Sequence, residues 1–218
     1  MGNELKKKSE LKNLVLIEHP LVKRDLTILR DKKTSSEMFR AAVTRISNIL
    51  ASEISTSFSL KKVKVNTPLE TTTGFKLEQD IVLVPVLRAG LGMVDGFLQL
   101  IPNAKLGHIG LQRNEKTLKP ISYYLKTPKR LSIAEVILLD PMLATGGSAS
   151  AAITFLKKQK AKEIIFACLL AAPEGIKRLL RDHPDLIIFS ASLDRQLNKK
   201  GYILPGLGDA GDRTFGTL

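Results

Sequence analysis

The feature that most constrains this chain is a set of short runs with almost no polar residue in them. They are Ile81-Val82-Leu83-Val84, Val136-Ile137-Leu138-Leu139 and Ile164-Ile165-Phe166-Ala167-Cys168-Leu169-Leu170. A strand with one wet face alternates apolar with polar residues, whereas a strand that is apolar throughout must be covered on both faces. Helical patterns follow the runs: Met93 to Leu100, about Gly147 to Lys158, and Glu174 to Arg181 with Pro173 at its start. This alternation predicts a parallel sheet between two layers of helices. Lys105 to Leu111 and Leu186 to Phe189 read as further strands, and Ser122 to Lys126 and Thr71 to Thr73 as edge or hairpin strands. A long amphipathic helix precedes them. Thr34-Ser35-Ser36-Glu37 fits a capping box, and Phe39, Ala42, Val43, Ile46, Ile49, Leu50 and Ile54 recur at steps of three and four. The economical reading is one α/β domain over residues 14–218 with a small hairpin appendage, behind a flexible basic tail, residues 1–13, carrying Lys6, Lys7, Lys8 and Lys12.

Composition removes several classes of function. The single cysteine, Cys168, forbids an intrachain disulfide and a cysteine-rich zinc site, and its apolar neighbours mark it as a buried structural thiol. His19, His108 and His183 are scattered, with no metal-binding spacing. The longest apolar runs fall far short of the ~20 residues of a membrane helix, and the charged N-terminus has no secretory pattern, so the expected compartment is the cytoplasm. The formal charge of +13 favours a polyanion: nucleic acid, a phosphorylated small molecule or an acidic membrane.

In a doubly covered parallel sheet, ligands bind in the loops at the carboxyl ends of the strands. Three such loops carry unusual residues. In Pro85-Val86-Leu87-Arg88-Ala89-Gly90-Leu91-Gly92 the glycine spacing is one residue too long for a dinucleotide fingerprint. Arg88 beside glycine suits an anion, since its fork grips two phosphate oxygens, although a tight turn with a surface arginine would look the same. In Asp140-Pro141-Met142-Leu143-Ala144-Thr145-Gly146-Gly147-Ser148 a buried strand gives way to a helix. The free amides of a helix start, two glycines and the hydroxyls of Thr145 and Ser148 form a phosphate cradle, with Asp140 placed to accept from sugar hydroxyls. No lysine follows the glycines, so this is not a P-loop. The alternative is that Ser148 merely caps the helix and Asp140 is solvated. The third segment, Gly201 to Arg213, is too glycine-rich for a helix, and reads either as ordered backbone for a small planar ligand or as a loose tail.

Taken together, these loops resemble the uracil phosphoribosyltransferase family over about Leu14 to Leu218. The resemblance rests on Glu18 to Lys23, Pro85 to Met93, Arg113-Asn114-Glu115, Asp140 to Ser148, Ala171 to Gly175, and Gly201 to Arg213 with Phe215-Gly216-Thr217. It implies a type I phosphoribosyltransferase fold: a five-stranded parallel core flanked by helices, a small hood and a β-hairpin arm. It also implies the reaction of uracil with 5-phosphoribosyl 1-diphosphate (PRPP) and Mg²⁺ to give UMP and diphosphate. By the same resemblance, Asp140 to Ser148 would hold the ribose and 5′-phosphate. Arg88, with the Ala89 and Gly90 backbone, and Arg113 would hold the diphosphate. Ile203, Gly208, Asp209 and Ala210 would read uracil, and Asp209 would also lie near the donor and its Mg²⁺. Pro141 stands where related transferases carry a second acid, as in the uracil branch. Leu111-Gln112 before Arg113 and Arg195-Gln196 before the last loop depart from the family's habit without removing a ligand. A homo-oligomer, dimer or tetramer, and activation by GTP are further implications, and no membrane partner is expected. An alternative on the same fold is a pyrimidine-responsive RNA-binding regulator. Pro141 argues against it, since such regulators carry two acids there, and nucleic acid is therefore disfavoured as a partner.

Overall fold

In a computed structural model, residues 13–113 and 120–217 are described. Most of the expected basic tail, residues 1–12, and Asn114, Glu115 and Lys116 lie outside them. The strands are β1 (Leu14–Leu16), β2 (Leu60–Asn66), β3 (Thr71–Leu77), β4 (Asp80–Leu87), β5 (Lys105–Leu106), β6 (His108–Arg113) and β7 (Pro120–Lys126). They continue with β8 (Ala134–Leu139), β9 (Met142–Leu143), β10 (Glu163–Ala171), β11 (Ile187–Leu193), β12 (Gln196–Leu197) and β13 (Ile203–Leu204). The α-helices are α1 (Pro20–Arg30), α2 (Ser36–Ser55), α3 (Leu91–Leu100), α4 (Gly147–Lys158), α5 (Pro173–Asp182) and α6 (Ala210–Phe215).

The central sheet runs β1-β11-β10-β8-β4-β6-β7. Every pairing along it is parallel except β6–β7, which is antiparallel. The expected five parallel strands are therefore joined by a sixth, the short β1, paired to β11 through Leu14 and Ile188. The predicted strand Lys105–Leu111 is broken at Gly107, whose amide donates to Leu83 O at 2.9 Å, so that β5 and β6 pair successively with β4.

The apolar runs fill both faces of this sheet. Period-two alternation sends Leu83 and Ile137 to one face, packed with Phe39, Ile46 and Leu50 of α2 and Met93 and Phe97 of α3. Val82, Val84, Val136 and Leu138 go to the other, with Ala152, Ile153 and Leu156 of α4 and Ile176 and Leu179 of α5. Cys168 is fully buried, and burial pushes its thiol up to about 12, as expected of a structural cysteine.

Local chemistry fixes the helix starts. His19 caps α1 by accepting from Leu21 N at 3.1 Å, with Pro20 in the first turn. The cap of α2 is Ser35, accepting from Met38 N at 3.3 Å, one residue later than the predicted box; Thr34 instead donates its hydroxyl to Ile28 O at 2.7 Å. The hairpin appendage is β2–β3, an antiparallel ladder from Leu60↔Leu77 to Asn66↔Thr71 forming its own two-stranded sheet. A second small ladder, β12–β13, supplies the expected hood.

Candidate functional site

The carboxyl ends of β4 and β8 are adjacent, with Val84 opposite Leu138 and Pro85 opposite Leu139. Their following loops therefore emerge side by side.

The loop after β4 opens with a cis peptide between Leu87 and Arg88. It turns tightly, the Gly90 amide donating to Val86 O at 2.9 Å. A Cβ on Gly90 would collide with the carbonyl of Leu139 and lie 2.7 Å from Val86 N, so only glycine lets this loop pass so close to β8. Arg88 is more than half exposed, and its Nη2 donates to Asp212 Oδ1 at 3.0 Å.

The loop after β8 is stitched into the sheet. Pro141 O accepts from the amides of Leu169 and Leu170 at 3.1 and 3.0 Å, and β9 pairs in parallel with Leu170 and Ala171. The side chains of Pro141 and Leu143 are thereby buried, while Asp140, Met142 and Ala144 are partly exposed. Thr145 and Ser148 are exposed. Gly146 takes φ 74°, a left-handed conformation natural to glycine, immediately before α4. Among the described residues no side-chain hydrogen bond caps α4, so Ser148 is not its cap and the first-turn amides have no side-chain partner. Burial pushes the Asp140 carboxyl up to about 7, against the opposing pull of the Met142 amide.

The third segment was expected to be free of helix, and this is corrected by α6. Asp209 caps it, Oδ1 accepting from Asp212 N at 2.9 Å, and the turn that follows buries Ala210, Arg213 and Thr214. A strong cap and tertiary burial outweigh the low helix propensity of Gly211.

The three loops enclose a cleft of about 250 Å³. Ala89 comes from the first loop and Asp140, Met142 and Ala144 from the second. The third gives Gly201, Tyr202, Ile203, Gly208, Asp209, Ala210 and Gly211. Of the residues singled out in the sequence, the cleft thus gathers Ala89, Asp140, Met142, Ala144, Ile203, Gly208, Asp209 and Ala210. Arg88 adjoins it beside Ala89 but faces Asp212, and Thr145 is beside it, its Cγ2 being 3.5 Å from where a Cβ on Gly201 would sit. Pro141 and Leu143 contribute no side chain, and Gly146, Gly147 and Ser148 sit at the start of α4. Arg113 ends β6 opposite Pro120, and its side chain lies outside the described residues. Gly201, Tyr202 and Gly211 lay in the segment offered for a planar ligand but were given no individual role, and Asp212 was missed as the partner of Arg88. The Asp209 to Asp212 spacing, an acid three residues after a capping acid, was the available signal for the start of α6, though not for the pairing with Arg88.

Among the described residues no cluster of three metal-ligating side chains occurs, and no helix is long and apolar enough to cross a membrane.

The model of the family described as uracil phosphoribosyltransferase matches residues 15–217. A uracil phosphoribosyltransferase of Finegoldia magna is 53% identical over 208 residues, covering 95% of this chain and 100% of that protein. That of Salinibacter ruber is 48% identical over 207 residues, covering 95% and 99%. Among solved structures, the AQ2163 protein of Aquifex aeolicus superposes with a TM-score of 0.87 at 39% identity, over 93% of this chain and 97% of that one. A hypoxanthine phosphoribosyltransferase of Staphylococcus aureus, at 10% identity, shares the fold alone, with a TM-score of 0.52 over 72% and 76%. With its sheet order, its cleft at the strand ends and its sequence all in agreement, the chain belongs to the uracil phosphoribosyltransferase family.

Proposed function

We propose that the chain transfers the phosphoribosyl group of PRPP to N1 of uracil, giving UMP and diphosphate, in the cleft formed by the three loops. The observation that carries this reading is the convergence, in one cleft, of Asp140 from the loop after β8, Ala89 beside Arg88, and the residues Gly208 to Ala210.

The uncapped first turn of α4, with Gly146, Gly147, Thr145 and Ser148, supports a seat for the 5′-phosphate, since amides at a helix start hold anions. Asp140 at the cleft wall suits the ribose hydroxyls. Transfer passes through an oxocarbenium-like state while negative charge grows on diphosphate, so catalysis rests on alignment and charge stabilisation. Arg88 and Arg113 supply that charge. Uracil meets backbone groups of Ile203, Gly208 and Ala210, and a backbone amide aimed at its O4 would oppose the amino group of cytosine.

The donor set also fits Mg²⁺, an ion that takes one or two carboxylates together with substrate phosphates: Asp140 and Asp209 both line the cleft. When bound, the ion neutralises charge on the leaving diphosphate.

Incubating the protein with Mg²⁺, PRPP and uracil, cytosine, orotate or hypoxanthine tests the reading. UMP alone is expected; nucleotide from another base, or none, overturns it. The RNA-binding alternative has no observation in its favour. We extend the proposal to a homo-oligomer, dimer or tetramer, using the long α2, to GTP activation, and to a cytoplasmic location. Light scattering and GTP titration of the rate test the first two.

A further inference from the structure

The segment that would read the base is held from outside the cleft by two arginines at the carboxyl-terminal corner of α1. Arg30, the last residue of α1, makes a two-pronged ion pair with Asp194, Nη1 lying 2.7 Å from Oδ2 and Nη2 2.6 Å from Oδ1. The same pair captures the backbone of Gly206 at both ends: Arg30 Nη1 donates to its carbonyl at 3.0 Å, and Asp194 Oδ2 accepts from its amide at 2.9 Å. The Ser192 hydroxyl accepts from Arg30 Nη2 at 3.1 Å and donates to Asp194 Oδ1 at 3.0 Å. The Asp194 side chain is only 2% exposed. Burial raises its carboxyl, but the donors of Arg30 and the Gly206 amide outweigh that and hold it below the usual range.

Arg213 grips the next residue. Its guanidinium donates to the carbonyls of Leu29 and Asp31 at the end of α1, the latter at 2.6 Å, and to Leu207 O at 2.7 Å. It also lies 4.5 Å from the centre of the Phe39 ring. Its Cδ is the atom nearest to a Cβ built on Gly208, at 3.6 Å. Two consecutive residues, Gly206 and Leu207, are thus held just before Gly208 by two planar forks whose guanidinium groups do not line the cleft. A stretch with glycines at 206, 208 and 211 would otherwise have a large conformational entropy to lose on meeting a ligand.

We propose that Arg30, paired with Asp194, and Arg213 are positioning residues for base recognition, setting the direction of the 206–208 backbone and hence the affinity for the pyrimidine but not for the phosphoribosyl donor. This rests on the assignment of that backbone to the base. Arg30→Lys and Arg213→Lys keep the charge and lose the fork, and Asp194→Asn keeps the size and loses the ion pair. Melting curves check folding, and steady-state kinetics give KM for uracil and for PRPP separately. Loss of either fork, or of the Asp194 charge, is expected to raise KM for uracil roughly tenfold or more, with KM for PRPP within about twofold of wild type. Unchanged KM for uracil in folded variants overturns the proposal, and so does an equal rise in both constants. Failure of both lysine variants to fold also overturns it, because the residues are then structural. Wild-type protein that forms no UMP instead overturns the functional reading, and this proposal with it.

Discussion

Arg88 and Asp212 face each other at 3.0 Å, joining the loop after β4 to the first turn of α6. Thr217 braces the pair, donating its hydroxyl to Asp212 Oδ1 at 2.7 Å and accepting from Arg88 Nη1 at 3.5 Å. The Thr217 hydroxyl and the Arg88 guanidinium hold the Asp212 carboxyl below its ordinary range. A diphosphate reaching Arg88 has to compete with this carboxylate. Asp212→Asn is therefore expected to lower KM for PRPP by roughly twofold to fivefold, the modest gain typical of an exposed pair. An increased or unchanged constant in steady-state kinetics counts against the exchange of partners.

The two arginines assigned to the leaving group carry a stronger prediction. Arg88→Ala and Arg113→Ala should each lower kcat by ~10²–10³, the loss typical of one preorganised contact to developing charge. Circular dichroism should remain unchanged, since Arg88 is a largely exposed loop side chain. Wild-type turnover in either variant removes that residue from the site.

The placement of Asp140 has a cost in stability. Its carboxyl titrates near 7 in the folded chain against 3.8 for an ordinary aspartate, so the folded state holds a proton through that window while the unfolded state does not. The cost of the buried charge therefore grows as pH rises from about 4 and is complete above about 7, reaching at most about 4 kcal/mol. Asp140→Asn should raise the melting temperature more at pH 8 than at pH 5.5. The same variant should weaken PRPP binding in calorimetry, and wild-type affinity should improve as pH passes through 7. An equal melting shift at both pH values, or intact donor affinity, contradicts this account.

Gly208 adopts φ 83°, where a β-branched side chain is strained by about 1–3 kcal/mol. Gly208→Val should abolish uracil binding while leaving PRPP binding in place. Calorimetry with each ligand separates the two, and normal uracil affinity would remove this backbone from the base site.

The central architecture was readable because burial on both faces leaves a direct mark: β4, β8 and β10 are apolar at nearly every position, and α4 begins and ends where the pattern placed it. Other elements left weaker marks. β2, Leu60–Asn66, carries three lysines and lies mostly exposed, so hydrophobic periodicity could not reveal it; only the ladder with β3 defines it. The helix α1 was passed over although His19-Pro20 is a recognisable start. The cleft residues were legible through glycine, aspartate and arginine in loops after strands. Arg30, Asp194 and Asp212 were not, because each acts through a partner 124 to 176 residues distant in the chain, and no local pattern records such a pairing.

Two neighbouring residues of α5 touch opposite sides of the cleft. Glu174 accepts from Leu197 N at 3.0 Å and so secures the hood, while Gly175 presses against the carbonyls of Leu143 and Ala144 under the donor loop. A Cβ on Gly175 would collide with Ala144 O, leaving no slack there. The loop after β8 and the β12–β13 ladder accordingly both rest on the first turn of a single helix. A tilt of α5 would change both contacts at once, so the donor-side loop and the β12–β13 ladder are tied to the same rigid element.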